Sequence, residues 1–330
     1  MGWRSFDQQW TFNDPRVANL ERPALWQSLS ERQLFLITPW TARISSGPAA
    51  TVSTGVPDKH YFRGSYGGKD VIPLYRDAES KEPNINAGLL KGLSARLGQD
   101  VCPEDLLAYT YAVLAHDGYS AQFHEELETS PVRLPMTTDT KLFNKAVQVG
   151  KELLWLQTFG HRYTDDERQK GFVPHIDGLY WVEPVTVIPE STKNIRYDED
   201  RHELHVGDGV ISGVIPAVRQ FSVSGMNILD KWLGARTHTG TGRASGKTAT
   251  PLDRIRPDEW EDQWNDELLD LLRVLTRTVE LGPVQEDLLH EILASELVGS
   301  QDLPAPSAAE KKVPKTIKRN THQTAIDGRS

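Results

Sequence analysis

The chain has 330 residues, enough for one large domain or two smaller ones with a real core. With 38% hydrophobic and 25% charged residues it reads as globular; no apolar run is long enough to span a bilayer, and Met1-Gly2-Trp3-Arg4-Ser5-Phe6 is neither a secretory leader nor a myristoylation site. The net charge of −9 argues against a uniformly basic surface, and the single Cys102 excludes an internal disulfide and a cysteine-cluster zinc site, so a cytoplasmic location is expected.

Residues 1–45 are rich in Trp and Arg and carry a strand-like run at Leu34–Thr38. Next, Ala49–Val56, His60–Phe62 and Val71–Tyr75 read as short strands, with Gly64, Gly67 and Gly68 making a flexible link between the last two. Residues 102–159 read as helical. Pro103 suits a first turn; Leu106, Leu107, Tyr111 and Leu114 follow at helical spacing, and Gly118 ends that helix. A short helix from Ser120 to Leu127 follows. Asp139 then caps a longer one that buries Leu142, Ala146, Leu153 and Leu156.

From 178 to 224 the pattern returns to strands: Tyr180–Ile188, Ile195–Tyr197, Glu203–Val206, Val210–Ile215 and Arg219–Val223 read as a meander, with a tight turn at Asp208-Gly209. Residues 240–256 form a polar, glycine- and basic-rich loop. Trp260, Trp264, Leu268, Leu271, Leu275 and Val279 make the apolar stripe of a long helix, which Gly282-Pro283 ends. A last helix covers Val284–Leu297. The expected fold is α+β: a β-rich part, a helical insert, a β meander and C-terminal helices. The expected divisions are 1–45, 46–298 and a disordered basic tail at 299–330.

Charge is segregated. Between Lys231 and Arg256, six cations stand against Asp253, whereas from Asp258 to Glu296 only Arg273 and Arg277 oppose the acids. A basic surface on an acidic protein is therefore allowed, since phosphate attraction acts over a Debye length of ~10 Å.

Each motif that could carry catalysis fails on spacing or context. Gly240-Thr-Gly-Arg-Ala-Ser-Gly-Lys247-Thr248 resembles a phosphate loop, which needs four residues between its glycines. Here the intervals are three or five, and Pro251 disfavours the helix that should follow. Asp58 with Glu79-Ser80-Lys81 has the residue types of a metal-dependent nuclease, but it lies in a polar loop rather than on a rigid strand. Gly207-Asp-Gly209-Val-Ile-Ser-Gly213 is off by one for a dinucleotide loop, and His202 and His205 lack the i, i+4 spacing of a zinc pair. His116 and His161 read as structural groups. The sequence holds no Asn-Pro-Pro-Tyr box and no Phe-x-Gly-x-Gly loop. No catalytic or metal-binding residue is assigned.

Three blocks carry a family resemblance. Trp3-Arg-Ser-Phe-Asp-Gln-Gln-Trp10 resembles the Arg-Pro-Phe-Asp-x-Arg-Trp signature that follows the catalytic core of large adenine-specific restriction–modification methyltransferases, with Ser5 for Pro and Gln9 for Arg. The run from His60 to Tyr75 resembles the C-terminal specificity region of type ISP restriction–modification enzymes. The run from Phe221 to Arg236 is similar to the Gly-x-x-x-Leu-x-x-Trp-Leu-x-x-Arg segment shared with type IIG enzymes.

This resemblance implies a target-recognition domain for double-stranded DNA, preceded at 1–45 by its junction with a methyltransferase. The chain is expected to lack its own nuclease, helicase and methyltransferase centres and to bind no cofactor. S-adenosylmethionine is implied only for a catalytic partner, on a separate methyltransferase or helicase–nuclease chain; no membrane partner is expected. The competing reading is a subunit of a split N6-adenine DNA methyltransferase. A structural protein that has lost DNA affinity is a third.

In such a domain phosphate contacts set register and base-edge contacts set sequence. The candidates are Arg63, Ser65, Tyr66, Lys69 and Arg76 around the glycine-rich loop, and Lys231, Arg236, Arg243, Lys247 and Arg254 in the basic stretch. The alternative for both groups is an ordinary solvated surface. Trp260 and Trp264 read as core rather than as base-stacking residues. Lys311, Lys312, Lys315, Lys318 and Arg319 read as a solvated tail, with added non-specific DNA attraction as the other possibility.

Overall fold

A computed structural model describes residues 1–11, 22–38, 47–61, 70–129, 132–164, 167–240, 246–247, 250–251 and 255–315. The chain opens with an antiparallel hairpin of β1 (Gly2–Arg4) and β2 (Asp7–Gln8), turned at Phe6 with φ 63°. After α1 (Pro23–Gln27) comes β3 (Phe35–Ile37), which is wholly buried. It is the central strand of an antiparallel sheet, between β4 (Thr51–Ser53) and β5 (Val71–Pro73), with Leu36 opposite Val52 and Ile72.

These strands are shorter than expected for local reasons. Ser53 Oγ donates to the Gly55 carbonyl at 2.8 Å and accepts from its amide, so the chain turns there. The strand expected at His60–Phe62 is corrected: Asp58 accepts from the His60 amide, and its carbonyl accepts from the Tyr61 amide, making a turn. Phe62 lies outside the described residues. Buried Gln33 ties the sheet to its flank, donating to the Ser28 and Tyr75 carbonyls and accepting from the Tyr75 amide.

Five helices among the described residues make the centre. The sequence pattern missed α2 (Ala87–Leu97), which Asn86 caps through the Gly88 amide and Gly98 ends in the left-handed region. Next come α3 (Pro103–Leu114), α4 (Asp117–Gln122), α5 (Glu126–Thr129) and α6 (Thr140–Gln157). Asp139 caps α6 as expected, accepting from the Lys141 and Leu142 amides. Gly118 does not end α3; it sits inside α4. The packing of α3 on α6 depends on Gly150: a Cβ there would stand 1.8 Å from the Ala108 carbonyl oxygen.

The second sheet contains β6 (Tyr180–Glu183), β7 (Ile195–Asp198), β8 (Glu203–Val206) and β9 (Gly209–Ser212). Its order is β6-β9-β8-β7, antiparallel throughout, so β6 pairs with the last strand and not with the next. Leu204, Val206 and Ile211 face the core at period two. Gly207 and Asp208 form the turn between β8 and β9. Burial favours the neutral form of Asp208, but the Thr186 hydroxyl and the Thr186 and Val187 amides hold its carboxyl below the usual range.

The strand expected at Arg219–Val223 is corrected: Pro216 starts the short α7 (Pro216–Arg219), and only Ser222–Val223 (β10) is extended. It pairs with β11 (Met226–Asn227), which leads into α8 (Ile228–Ala235), capped by Asn227.

The last helix, α9 (Gln263–Ala294), is one continuous element of 32 residues with Pro283 inside it. The break expected at Gly282-Pro283 does not occur. Proline removes one backbone hydrogen bond, but Val274, Leu275, Leu281, Leu288, Leu289 and Ile292 are buried on both sides of it, and Gln285 donates to the Ala112 carbonyl at 2.9 Å. Packing outweighs the local loss. No described helix is long and apolar enough to cross a membrane.

Residues 299–315 fall within the stretch expected as a tail. They return along α2: Arg96 pairs with Asp302 at 3.1 Å, Asn86 donates to the Pro304 carbonyl, and Arg76 donates to the Glu310 and Lys312 carbonyls. Lys318 and Arg319 lie outside the described residues.

Candidate nucleic-acid interface

Arg63, Ser65, Tyr66, Lys69, Arg243 and Arg254 lie outside the described residues. The remaining four candidates occupy three different settings. Lys231 is exposed on α8, and Lys247 is exposed beside Gly246. Arg76 follows β5, with its Nε 3.1 Å from Glu82 and its Nη1 3.3 Å from Asn84.

Arg236 is a correction. Only 7% of it is exposed. Its Nη1 and Nη2 reach the two oxygens of Asp7 at 3.4 and 3.1 Å, Nη1 donates to the Trp232 carbonyl, and Glu267 lies 3.5 Å away. The guanidinium stacks on Trp232 at 3.6 Å from the ring centroid. A cation so enclosed has no face left for a phosphate. Its role is to join α8, α9 and the N-terminal hairpin. Burial raises the Asp7 carboxyl above the usual range, against the opposing pull of Arg236 and Arg4. Burial also raises Glu267.

The tryptophans are core, as the helical spacing implied. Trp260 is 7% exposed and packs edge-on against both Trp232 and Trp264. Trp260 Nε1 donates to Asn265 Oδ1, which also accepts from the Val185 amide, while Trp181 Nε1 donates to the Asn265 carbonyl. These bonds lock the second sheet onto the start of α9.

Arg256, counted in the basic stretch, donates to the Gly234 and Thr237 carbonyls and so satisfies the C-terminal end of α8. Among the described residues, exposed Lys231 on α8 is joined by a cation that sequence spacing could not place there. The turn at Thr192–Asn194, closed by Ser191, packs on α8 where Thr192 meets Gly234, and it carries exposed Lys193. Arg196 is exposed on neighbouring β7. Arg219, by contrast, is paired with Asp230 at 2.9 Å.

Of the near-motifs, the loop at 241–245 and 248–249 lies outside the described residues. Asp77 accepts from the Glu79, Lys81 and Glu82 amides, and Lys81 pairs with Glu79 on the surface. Asp58 instead pairs with Arg4 and His60. His202 sits in the turn before β8 with φ 54°, and His205 is beside Glu203. Among the described residues, no three His, Cys, Asp or Glu side chains converge as a metal site would require. His116 is buried, and that burial lowers its pKa to about 4.

The family model of the type ISP C-terminal specificity domain matches residues 1–271. Three solved structures are similar in fold. One is a nuclease-deletion mutant of the type ISP restriction–modification enzyme LlaGI in complex with a DNA substrate mimic, 18% identical, TM-score 0.54, covering 90% of this chain and 20% of that one. The second is a DrdV–DNA complex, 15% identical, TM-score 0.59, covering 93% and 28%. The third is the ATP-dependent type ISP enzyme LlaBIII bound to DNA, 16% identical, TM-score 0.56, covering 90% and 18%. The chain thus spans between 18% and 28% of the length of these chains. No curated protein matches the sequence.

Proposed function

The chain belongs to the type ISP C-terminal specificity domain family, and on that premise we propose that it recognises a target sequence in double-stranded DNA for a restriction–modification system. The observation that carries this reading is the family match over residues 1–271, on a fold similar to enzymes captured with DNA. Exposed Lys231 on α8 and Lys193 on the turn that packs against it are a suitable phosphate-facing pair beside the well-packed tryptophan cluster. Arg63, Ser65, Tyr66, Lys69, Arg76, Arg243, Lys247 and Arg254 remain proposed contacts, while Arg236 is replaced by its neighbours.

A binding selection on random duplexes tests the proposal directly: one short sequence should be enriched. Three phosphate contacts give a slope of log affinity against log salt of about −2.7, hence about a forty-fold loss between 50 and 200 mM salt. Affinity that does not change with salt would remove the phosphate contacts from the argument.

The catalytic centres, and any S-adenosylmethionine, are proposed to belong to a methyltransferase or helicase–nuclease part outside these 330 residues. The chain's small share of its relatives' length supports that division. Methyl transfer to DNA by this chain alone would overturn it.

A further inference from the structure

We propose that residues 303–315 form an autoinhibitory strap that competes with a DNA phosphate for Arg76; the proposal rests on the DNA-recognition reading above. The strap crosses the region where β5 meets the start of α2. Arg76 Nη1 donates to the Glu310 carbonyl at 3.1 Å, and Nη2 donates to the Lys312 carbonyl at 2.5 Å. The Ala87 amide, in the first turn of α2, donates to Glu310 Oε1 at 3.4 Å. One segment of this chain therefore places two carbonyls on a guanidinium and a carboxylate at a helix N-terminus. A charged phosphate oxygen is a stronger acceptor for the guanidinium than the two neutral carbonyls, and a helix N-terminus takes a phosphate as it takes a carboxylate.

The strap is built to let go. Every residue from 303 to 315 is exposed, and Val313 keeps 72% of its surface in water. Beneath it lies a cavity of about 220 Å³, lined by Leu25, Val71, Pro73 and Val313, so the apolar contact is incomplete. Other fastenings among the described residues are slight: Asn86 to the Pro304 carbonyl, the Pro304 ring against Gly88, and Arg96 to Asp302 just before the strap. Segments with few buried apolar contacts open at small free-energy cost. Inside the strap, Ser307 and Glu310 cap one another: the Ser307 amide and hydroxyl hold the Glu310 carboxyl below the usual range, with the Ala87 amide and Arg76 adding to the effect. Glu310 is thus held as the anion that a phosphate would replace. When the strap leaves, Arg76 keeps Asn84 and the exposed Glu82, and its outer nitrogens face solvent.

Hydrogen exchange of the full chain, with and without saturating duplex, reads strap release. Exchange should accelerate across residues 303–312 while residues 76–88 become protected. A binding comparison separates release from simple charge. E310A and E199A make the same charge change, and Glu199 is exposed between β7 and β8. E310A should bind duplex at least three-fold more tightly than E199A, and adding R76A to E310A should cancel that gain. If duplex binds but the strap exchanges at an unchanged or slower rate, or if the two single variants bind alike, the strap proposal fails and the recognition reading stands. If neither the parent nor E310A binds any duplex at low salt, both fail.

Discussion

Replacing Arg236 with Ala distinguishes a buried tie from a DNA contact. The side chain of Asp7 is 3% exposed and that of Arg236 is 8% exposed, so the substitution leaves a carboxylate in the core without its cation. Breaking a buried pair from one side costs about 3–5 kcal/mol. The lost stacking on Trp232 and the lost bond to its carbonyl act in the same direction. At about 2 °C per kcal/mol for a chain of this size, the melting temperature should fall by at least ~6 °C.

The deficit should shrink on acidification. Asp7 already titrates above its unfolded value, and without Arg236 it rises further. Its protonated form needs no cation, so the folded variant gains relative to the parent as pH falls through that raised value. Urea unfolding of R236A, D7A and the double variant between pH 7.5 and 4 measures both effects. In the cycle, the double variant should cost clearly less than the two single costs added together. An R236A protein of unchanged stability, but with weakened duplex binding, would refute the buried tie and return Arg236 to the interface.

Lys231→Ala should leave stability within about 0.5 kcal/mol and reduce the salt slope of duplex binding by about 0.9, as loss of one exposed phosphate contact requires. An unchanged slope removes Lys231 from the interface. His116 gives a pH signature. Its folded pKa of about 4 lies below the ordinary 6.5, so its contribution is complete above pH ~6.5 and is lost as pH falls toward 4, by about 3 kcal/mol. H116Q should lose that slope in denaturant unfolding over the same window; a parent profile flat from pH 6.5 to 4 would contradict the burial argument. Gly150→Ala should destabilise by 3 kcal/mol or more, because backbone, not a movable side chain, stands against the new methyl. A melting temperature within a degree of the parent's would mean that α3 and α6 separate without cost.

Elements governed by local chemistry were legible from the sequence. Asp139 and Pro103 start their helices where spacing placed them, and Glu203–Val206 is the strand its alternation describes. Elements governed by distant partners were not. The stripe of α2 is diluted by Gly88, Gly92 and Lys91, and Pro283 is carried through α9 by apolar neighbours on both sides. The candidate site divides in the same way. Lys231 is exposed as a solvated cation should be. Arg236, five residues on, looked equivalent because its partner Asp7 lies at the other end of the sequence. Lys193 reaches α8 only through the turn that packs on it. The family resemblance, carried by residue blocks rather than by periodicity, was recovered as the match over 1–271.

The pairing of Asp7 with Arg236 also orders events at the ribosome. The two residues are 229 positions apart. At ~5–20 residues per second, roughly ten to fifty seconds pass between the emergence of the acid and that of its cation. Throughout that interval the N-terminal hairpin cannot settle into its final seat, because a lone carboxylate resists leaving water. The hairpin strands, made well before α8, are sealed late, and a nascent chain stalled before α8 would present them open to solvent.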